Sequence, residues 1–281
     1  MTSTATGKVQ TVLGPVEPGT LGPTSTHEHV LIDLRCYFDM PEEATERWYI
    51  DQPVTIDMLG TIGKRWTLSI DAMTLLNEGL QTEELRNWYL AGGGTVVDAT
   101  SIGIGRDPLA LTRISRATSV NIVMGASHYV PQSYPPDIDE RSEQEITDYI
   151  IRDITVGVGD TGIKSGIIGE VASSWPTIET SRRILRASGA ASKETGAPVL
   201  IHPGFHPDAL VQHMNDLTEG GADPTRVIMG HLDVLDLDAV REIAEMGAYI
   251  EHDSFGFEDT IWGGASDRGI NVPTDAQRVN R

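Results

Sequence analysis

From about residue 83 the chain repeats one pattern. A stretch with apolar residues at helical spacing runs into a glycine or turn, then into a short, nearly continuous apolar run. Residues 83–90 predict a helix that Gly92, Gly93 and Gly94 stop, and residues 95–99, Thr-Val-Val-Asp-Ala, predict a buried strand. Further helices are predicted around 107–118, 143–156, 178–195, 208–219 and 238–246. They lead into strands at 121–126, 166–171, 198–202, 226–231 and 248–253. Ahead of this rhythm, residues 7–24 suggest a short β-hairpin, and a first main strand carries His27 and His29. Residues 39–52 read as a loop and residues 54–76 as mainly helical. Apolar strands alternating with amphipathic helices predict a parallel sheet covered on its outer face.

Polar and ionisable residues gather at the C-terminal ends of these strands: His27 and His29, Asp98, His128, Glu170, His202, His231, Asp233 and Asp253. A closed (β/α)8 barrel, the TIM barrel, builds its active site at that end, whereas an open doubly wound sheet uses only the region near a switch point. Seven strands each delivering polar groups favour the barrel. No G-x-G-x-x-G follows any strand, so a nucleotide-binding α/β protein is disfavoured; Gly103-Ile104-Gly105 is too short for that fingerprint. In an extended strand, His27 and His29 share one face and Glu28 points away. Alone, such a pair reads as a polar patch on an edge strand. Glu170, His202 and His231, each at a strand end, change that reading. Imidazole and carboxylate suit Zn2+, Mn2+, Co2+ or Fe2+, with Zn2+ expected first. Four histidines and one glutamate exceed what one tetrahedral catalytic ion needs, while two ions bridged by a carboxylate would use them all. Two ions ~3.5–4 Å apart share a hydroxide that attacks a carbonyl or phosphoryl centre, and one polarises the substrate oxygen.

The chain has 281 residues, more than the ~250 typical of such a barrel, so one α/β domain over residues 1–281 is expected. Its net charge of −20 argues against nucleic acid and anionic membranes, both of which need a basic footprint. The single Cys36 excludes an intramolecular disulfide and reads as a packing residue rather than a nucleophile. The N-terminus has no basic segment leading into an apolar one, and no run of 18 apolar residues exists. A cytoplasmic location is the expectation.

Five segments occur in order: Thr-His-Glu-His at 26–29, Gly-Ile-Ile-Gly-Glu at 166–170, Ile-His-Pro-Gly at 201–204, Val-Ile-Met-Gly-His at 227–231 and Tyr-Ile-Glu-His-Asp-Ser-Phe-Gly at 249–256. Together they resemble the phosphotriesterase-related branch of the amidohydrolase superfamily, from about Val9 to the last residue. The resemblance implies a (β/α)8 barrel with two metal ions. It implies that His27 and His29 bind the more buried ion and that His202 and His231 bind the more exposed one. The bridging ligand in that family is a carboxylated lysine or a glutamate. Glu170 stands at the position here, and Lys164 lies six residues too early to replace it. Members hydrolyse phosphotriesters, lactones, other esters or amides. The family's last strand also supplies an aspartate to the buried ion. Asp259, Asp267 and Asp275 all lie in polar surroundings rather than on a strand-like run. The eighth strand is therefore expected to be missing, and the polypeptide to be C-terminally truncated by roughly 30 residues or more, one helix-plus-strand unit. Thr274 and Asp275 are N-cap candidates for that helix.

Beyond the metal ligands, Glu170, Asp233 and Tyr129 are the catalytic candidates. Asp233 would be a proton relay or an exposed loop carboxylate. Tyr129 would contact substrate. His128 either lines the pocket or is structural, His206 and His213 read as surface residues, and Trp262 is placed at the pocket mouth. The leading function is a binuclear metal-dependent hydrolase of a small neutral ester, lactone or amide, with phosphotriester turnover incidental. The alternative is a catalytically silent barrel that binds metal or a small molecule. The expected partner is a small neutral organic substrate, and a homodimer is left open.

Overall fold

The computed structural model describes residues 7–257 and 272–280. The chain opens with an antiparallel hairpin, β1 (Val9–Thr11) and β2 (Gly14–Val16). Then come β3 (Thr24–Glu28) and β4 (Ile32–Asp33), the latter paired with β5 (Thr74–Leu75). The alternating part follows: α2 (Glu78–Leu90), β6 (Thr95–Asp98), α3 (Pro108–Thr118), β7 (Asn121–Ala126), α4 (Glu143–Thr155) and β8 (Ile167–Ala172). It continues through α5 (Glu179–Thr195), β9 (Val199–His202), α6 (Pro207–Gly220), β10 (Val227–Met229), α7 (Leu237–Glu245) and β11 (Tyr249–Ile250). The last element is α8 (Asp275–Val279), which opens on a capping box between Thr274 and Gln277.

The region expected to be mainly helical, residues 54–76, is not. It holds one α-helical turn, α1 (Leu59–Ile62), three short 3-10 turns and β5. Gly60 and Gly63 weaken helix propensity there. Met58, Ile62 and Leu68 instead bury as a small cluster against Tyr49, Val54 and Ala72. The last strand is also shorter than predicted. Among the described residues, β11 pairs with β10 alone, over two residues.

Seven strands form one sheet in the order β3-β6-β7-β8-β9-β10-β11, and every pair in it is parallel. This is the strand-and-helix sequence of a (β/α)8 barrel, with seven of its strands among the described residues. The sheet curls until its two edges meet at their C-terminal ends, where the Thr26 hydroxyl donates to Glu251 Oε1 at 2.5 Å. The hairpin covers the opposite end: the Val12 amide donates to the Ile122 carbonyl at 2.9 Å. Strand alternation sorts the apolar side chains. Val97, Val123, Ile167, Leu200 and Ile228 meet inside the sheet, with Val9 of the hairpin against them. Val199, Ile201, Val227 and Met229 face outward and pack with Ile184, Leu185, Leu210, Met214 and Ile243 of the helices. Among the described residues, no helix is long and apolar enough to cross a membrane.

Candidate metal centre

The sheet's C-terminal rim carries the ionisable residues, and four strands aim them by different means. On β9 plain alternation suffices: Leu200 points inward, so His202 does too. On β8 it does not. Counting from the inward Ile167, Glu170 falls on the outward phase. A bulge corrects this, because Ile168 pairs with Val199 and Val171 with Ile201, inserting one extra residue on β8. A similar irregularity on β3, between Ser25 and Glu28, precedes the rim at His27 and His29. At the end of β10, His231 adopts a left-handed backbone conformation, φ 55°, which turns its ring back toward the others.

These devices bring His27, His29, Glu170, His202 and His231 together. Glu170 Oε1 lies 3.2 Å from His29 Nε2. Glu170 Oε2 lies 3.1 Å from His27 Nε2, 3.0 Å from His202 Nδ1 and 3.5 Å from His231 Nε2. One carboxylate thus stands within reach of four imidazoles. Burial alone would raise the Glu170 carboxyl, but the charge on His27 and His202 and hydrogen bonds with His202 and His231 outweigh it, holding Glu170 well below the ordinary range. Exposure is uneven: the His27 side chain is 4% exposed, His202 15%, His231 17% and His29 24%. Glu28 points off the face and accepts from the Ser25 hydroxyl at 2.6 Å.

A second ring of acceptors holds three of the imidazoles, those of His231, His27 and His29, by their other nitrogens. Asp253 Oδ1 lies 2.8 Å from His231 Nδ1, and Asp253 Oδ2 lies 3.1 Å from His27 Nδ1 and accepts the His231 backbone amide at 3.0 Å. Glu251 Oε2 is 3.2 Å from His27 Nδ1. The Thr100 hydroxyl is 3.0 Å from His29 Nδ1 and donates toward Asp98 Oδ1 at 3.1 Å. Burial pushes the Asp98 carboxyl up to about 6, against the opposing amide of Val30. Burial lowers His231, yet the Asp253 hydrogen bond and charge prevail and push it up to about 9. His27 is likewise raised, its burial overcome by Glu170 first and Asp253 next. Glu251 was not among the residues singled out from sequence. Its signal was alternation: Glu251 and Asp253 lie two apart after the apolar end of β11, so they share a face.

The donor set fits divalent cations. Among the described residues, one ligand atom each from His27, Glu170 and His231 lie within 4.8 Å of one another, as do those of His27, Glu251 and Asp253. His27 Nε2 is buried and close to Glu170, yet makes no hydrogen bond of acceptable geometry. A cation shared between this nitrogen and the carboxylate would give it a partner.

The other candidates are placed as follows. The Tyr129 ring lies 5.2 Å from His202 and 6.2 Å from Tyr37. Burial, then Glu170, raises its phenol well above the usual value, so it stays protonated. Asp233 is fully buried in the turn after β10. It accepts from Arg278 Nε at 2.6 Å and from the Ser254 hydroxyl at 3.1 Å. His128 is buried with neither ring nitrogen hydrogen-bonded. His213, expected at the surface, is fully buried on α6, because its position faces the core beside Met214 and Leu210. His206 stacks on Trp175 at 5.0 Å. Cys36 is half-buried and packs with Ile32, Ile104 and Tyr129. Trp262 lies outside the described residues.

Residues 7–281 match the model of the phosphotriesterase family. N-acetyltaurine hydrolase from Homo sapiens is 38% identical over 283 residues, an alignment covering 99% of this chain and 80% of that protein. Among solved structures, a resiniferatoxin-binding protein from Rhodobacter sphaeroides superposes with a TM-score of 0.91 at 29% identity, covering 99% of this chain and 76% of that one. Organophosphorus hydrolase from Deinococcus radiodurans gives 0.74 at 28% identity, covering 100% and 75% respectively.

Proposed function

The chain belongs to the phosphotriesterase family, and from that premise we propose that it is a hydrolase of small amides or esters that works with two divalent ions held by His27, His29, Glu170, His202 and His231. The observation that carries this is the position of Glu170, one carboxylate within 3.5 Å of all four imidazoles. Ions bound there would supply Lewis acidity toward the substrate oxygen and a water acidified enough to act as nucleophile near neutral pH. Zn2+ is the first ion to test, before Mn2+, Co2+ and Fe2+.

The chain's own residues prepare the site. Glu170 stays ionised and holds the two histidine pairs to one centre. Asp253 and Glu251 engage the Nδ1 atoms of His27 and His231, which leaves Nε2 of both rings facing Glu170. This fixes ring orientation before any ligand arrives. Tyr129, protonated and beside His202, supplies a hydrogen-bond donor to substrate or water. Asp233 supports the rim through its pairing with Arg278.

Relatives named N-acetyltaurine hydrolase favour a short N-acyl amide as the substrate class. The structural relation to organophosphorus hydrolase supports a second reading, phosphotriester cleavage. The test is turnover by purified protein on a panel of N-acyl amides, aryl esters, lactones and phosphotriesters, with metal content measured on the same sample. About two metal equivalents and turnover of a short N-acyl amide, lost on chelation and restored by Zn2+, are expected. Full metal loading with no turnover across the panel would leave the silent binding barrel as the reading.

A further inference from the structure

We propose that Phe205 sets the length of the acyl chain this site accepts, as the apolar wall beside His202 and His231; this rests on the hydrolytic reading above. Phe205 lies in the loop between β9 and α6, three residues after His202. Its ring centroid is 5.2 Å from the His202 imidazole, nearly perpendicular at 85°, and 5.9 Å from that of His231, inclined by 29°. Tyr129 also leans on His202, but it is only 5% exposed. Phe205 is half-buried and packs partly on the core beneath, so it is the more accessible of these two rings.

The backbone points the same way. Phe205 has φ 51°, a left-handed conformation that residues with a Cβ rarely adopt. The adjacent Gly204 could take it without strain, yet its φ is ordinary. Gly204 serves a different need: a Cβ there would sit 3.1 Å from Ser174 C and Trp175 N, where the loop after β8 presses against this one. The strained turn therefore falls on the phenylalanine, and it directs the ring onto the two imidazoles. The loops are fixed on both flanks. Trp175 and His206 stack at 5.0 Å and 11°, and the His213 ring lies 3.4 Å from the Thr177 hydroxyl, which donates to the Ser174 carbonyl at 3.2 Å. A ring held in this way is a fixed boundary rather than a flexible cover. It offers only C–H groups and an aromatic face, so it fits the apolar substituent of an amide or ester, its acyl chain.

The test compares wild type, Phe205→Ala and the milder Phe205→Leu on one amine acylated with straight chains from acetyl to octanoyl. Metal content is measured for each protein. A parallel calorimetric series with the free carboxylates from acetate to octanoate reads chain-length preference by binding alone. Shortening the side chain is expected to shift the preferred length upward, raising kcat/KM for long relative to short chains by about 10-fold or more, with metal content unchanged and the carboxylate series shifting in parallel. A uniform change across all lengths, in both variants and with metal retained, would overturn the proposal. Absence of turnover by wild type would count against the hydrolytic reading, and the carboxylate series would still decide for or against the wall.

Discussion

Asp253 illustrates how a side chain behind the imidazoles holds them in place. Its two oxygens reach His231 Nδ1, His27 Nδ1 and the His231 amide. It therefore steadies one histidine from each proposed ion site. Asp253→Ala is expected to weaken metal binding by about 10- to 100-fold, with both equivalents affected, in competition titrations against a chromophoric chelator. Loss of one equivalent alone would show that the two histidines are held independently. Glu170→Ala should abolish tight binding of both ions and nearly all activity, because four imidazoles share that carboxylate. Glu28→Ala should leave kcat within about 2-fold of wild type, since this exposed carboxylate is partnered by Ser25 and not by the cluster. Equal losses in these two variants would mean that Glu170 does not bridge.

At the scale of elements, polar contacts near helix ends hold secondary structure in place. The five-residue α8 docks through Arg278, whose side chain is fully buried and paired with the equally buried Asp233. Removing one partner of such a pair leaves the other charge in the interior with its compensation reduced. Arg278→Ala should lower the unfolding free energy by about 3–5 kcal/mol, read as a reduced urea midpoint, while Asp275→Ala, a half-exposed partner of the same arginine, should cost much less. The start of α4 is a cleaner case. The Ser142 hydroxyl accepts from the Glu145 amide, and the Glu145 carboxylate accepts from the Ser142 amide in return. Ser142→Ala should cost about 1 kcal/mol. A midpoint unchanged from wild type would mean that solvent replaces the cap without loss.

For the molecule as a whole, acid sensitivity should come from buried neutral histidines. Burial lowers both His128 and His213 to about 4, from an ordinary 6.5. Arg141 and Arg106 add to the effect at His128. Between about pH 6.5 and 4 the unfolded chain binds a proton at each position that the folded chain refuses. The unfolded state then holds more protons, so stability rises with pH through that window and falls on acidification. Each histidine contributes up to ~3 kcal/mol of this loss. His128→Phe should flatten the decline between pH 7 and pH 4.5 in urea unfolding, since neither ring nitrogen has a hydrogen-bond partner to lose. An unchanged slope would show that His128 is charged in the folded state.

The hydrophobic pattern by itself determined the alternation of strands and helices, because burial on one face imposes period 2 on strands and 3.6 on helices. It also located the proposed ligand residues at strand ends, since a polar residue closing an apolar run has to leave the core there. The pattern misread residues 54–76, where apolar residues at irregular spacing pack as a small cluster between 3-10 turns instead of forming one helical face. It placed His213 at the surface because a histidine on a mixed helix gives no sign of which way it points. Only the tertiary structure decided how these side chains aim. His202 follows from alternation, but Glu170 depends on a one-residue bulge and His231 on a left-handed turn. Bulges and positive φ are held in place by neighbouring strands and loops, not by the residue that adopts them. The same holds for Phe205 and for the carboxylates of Glu251 and Asp253. Their roles exist only once the curled sheet brings β11 beside β3, which follow each other in space but lie more than 200 residues apart in the chain.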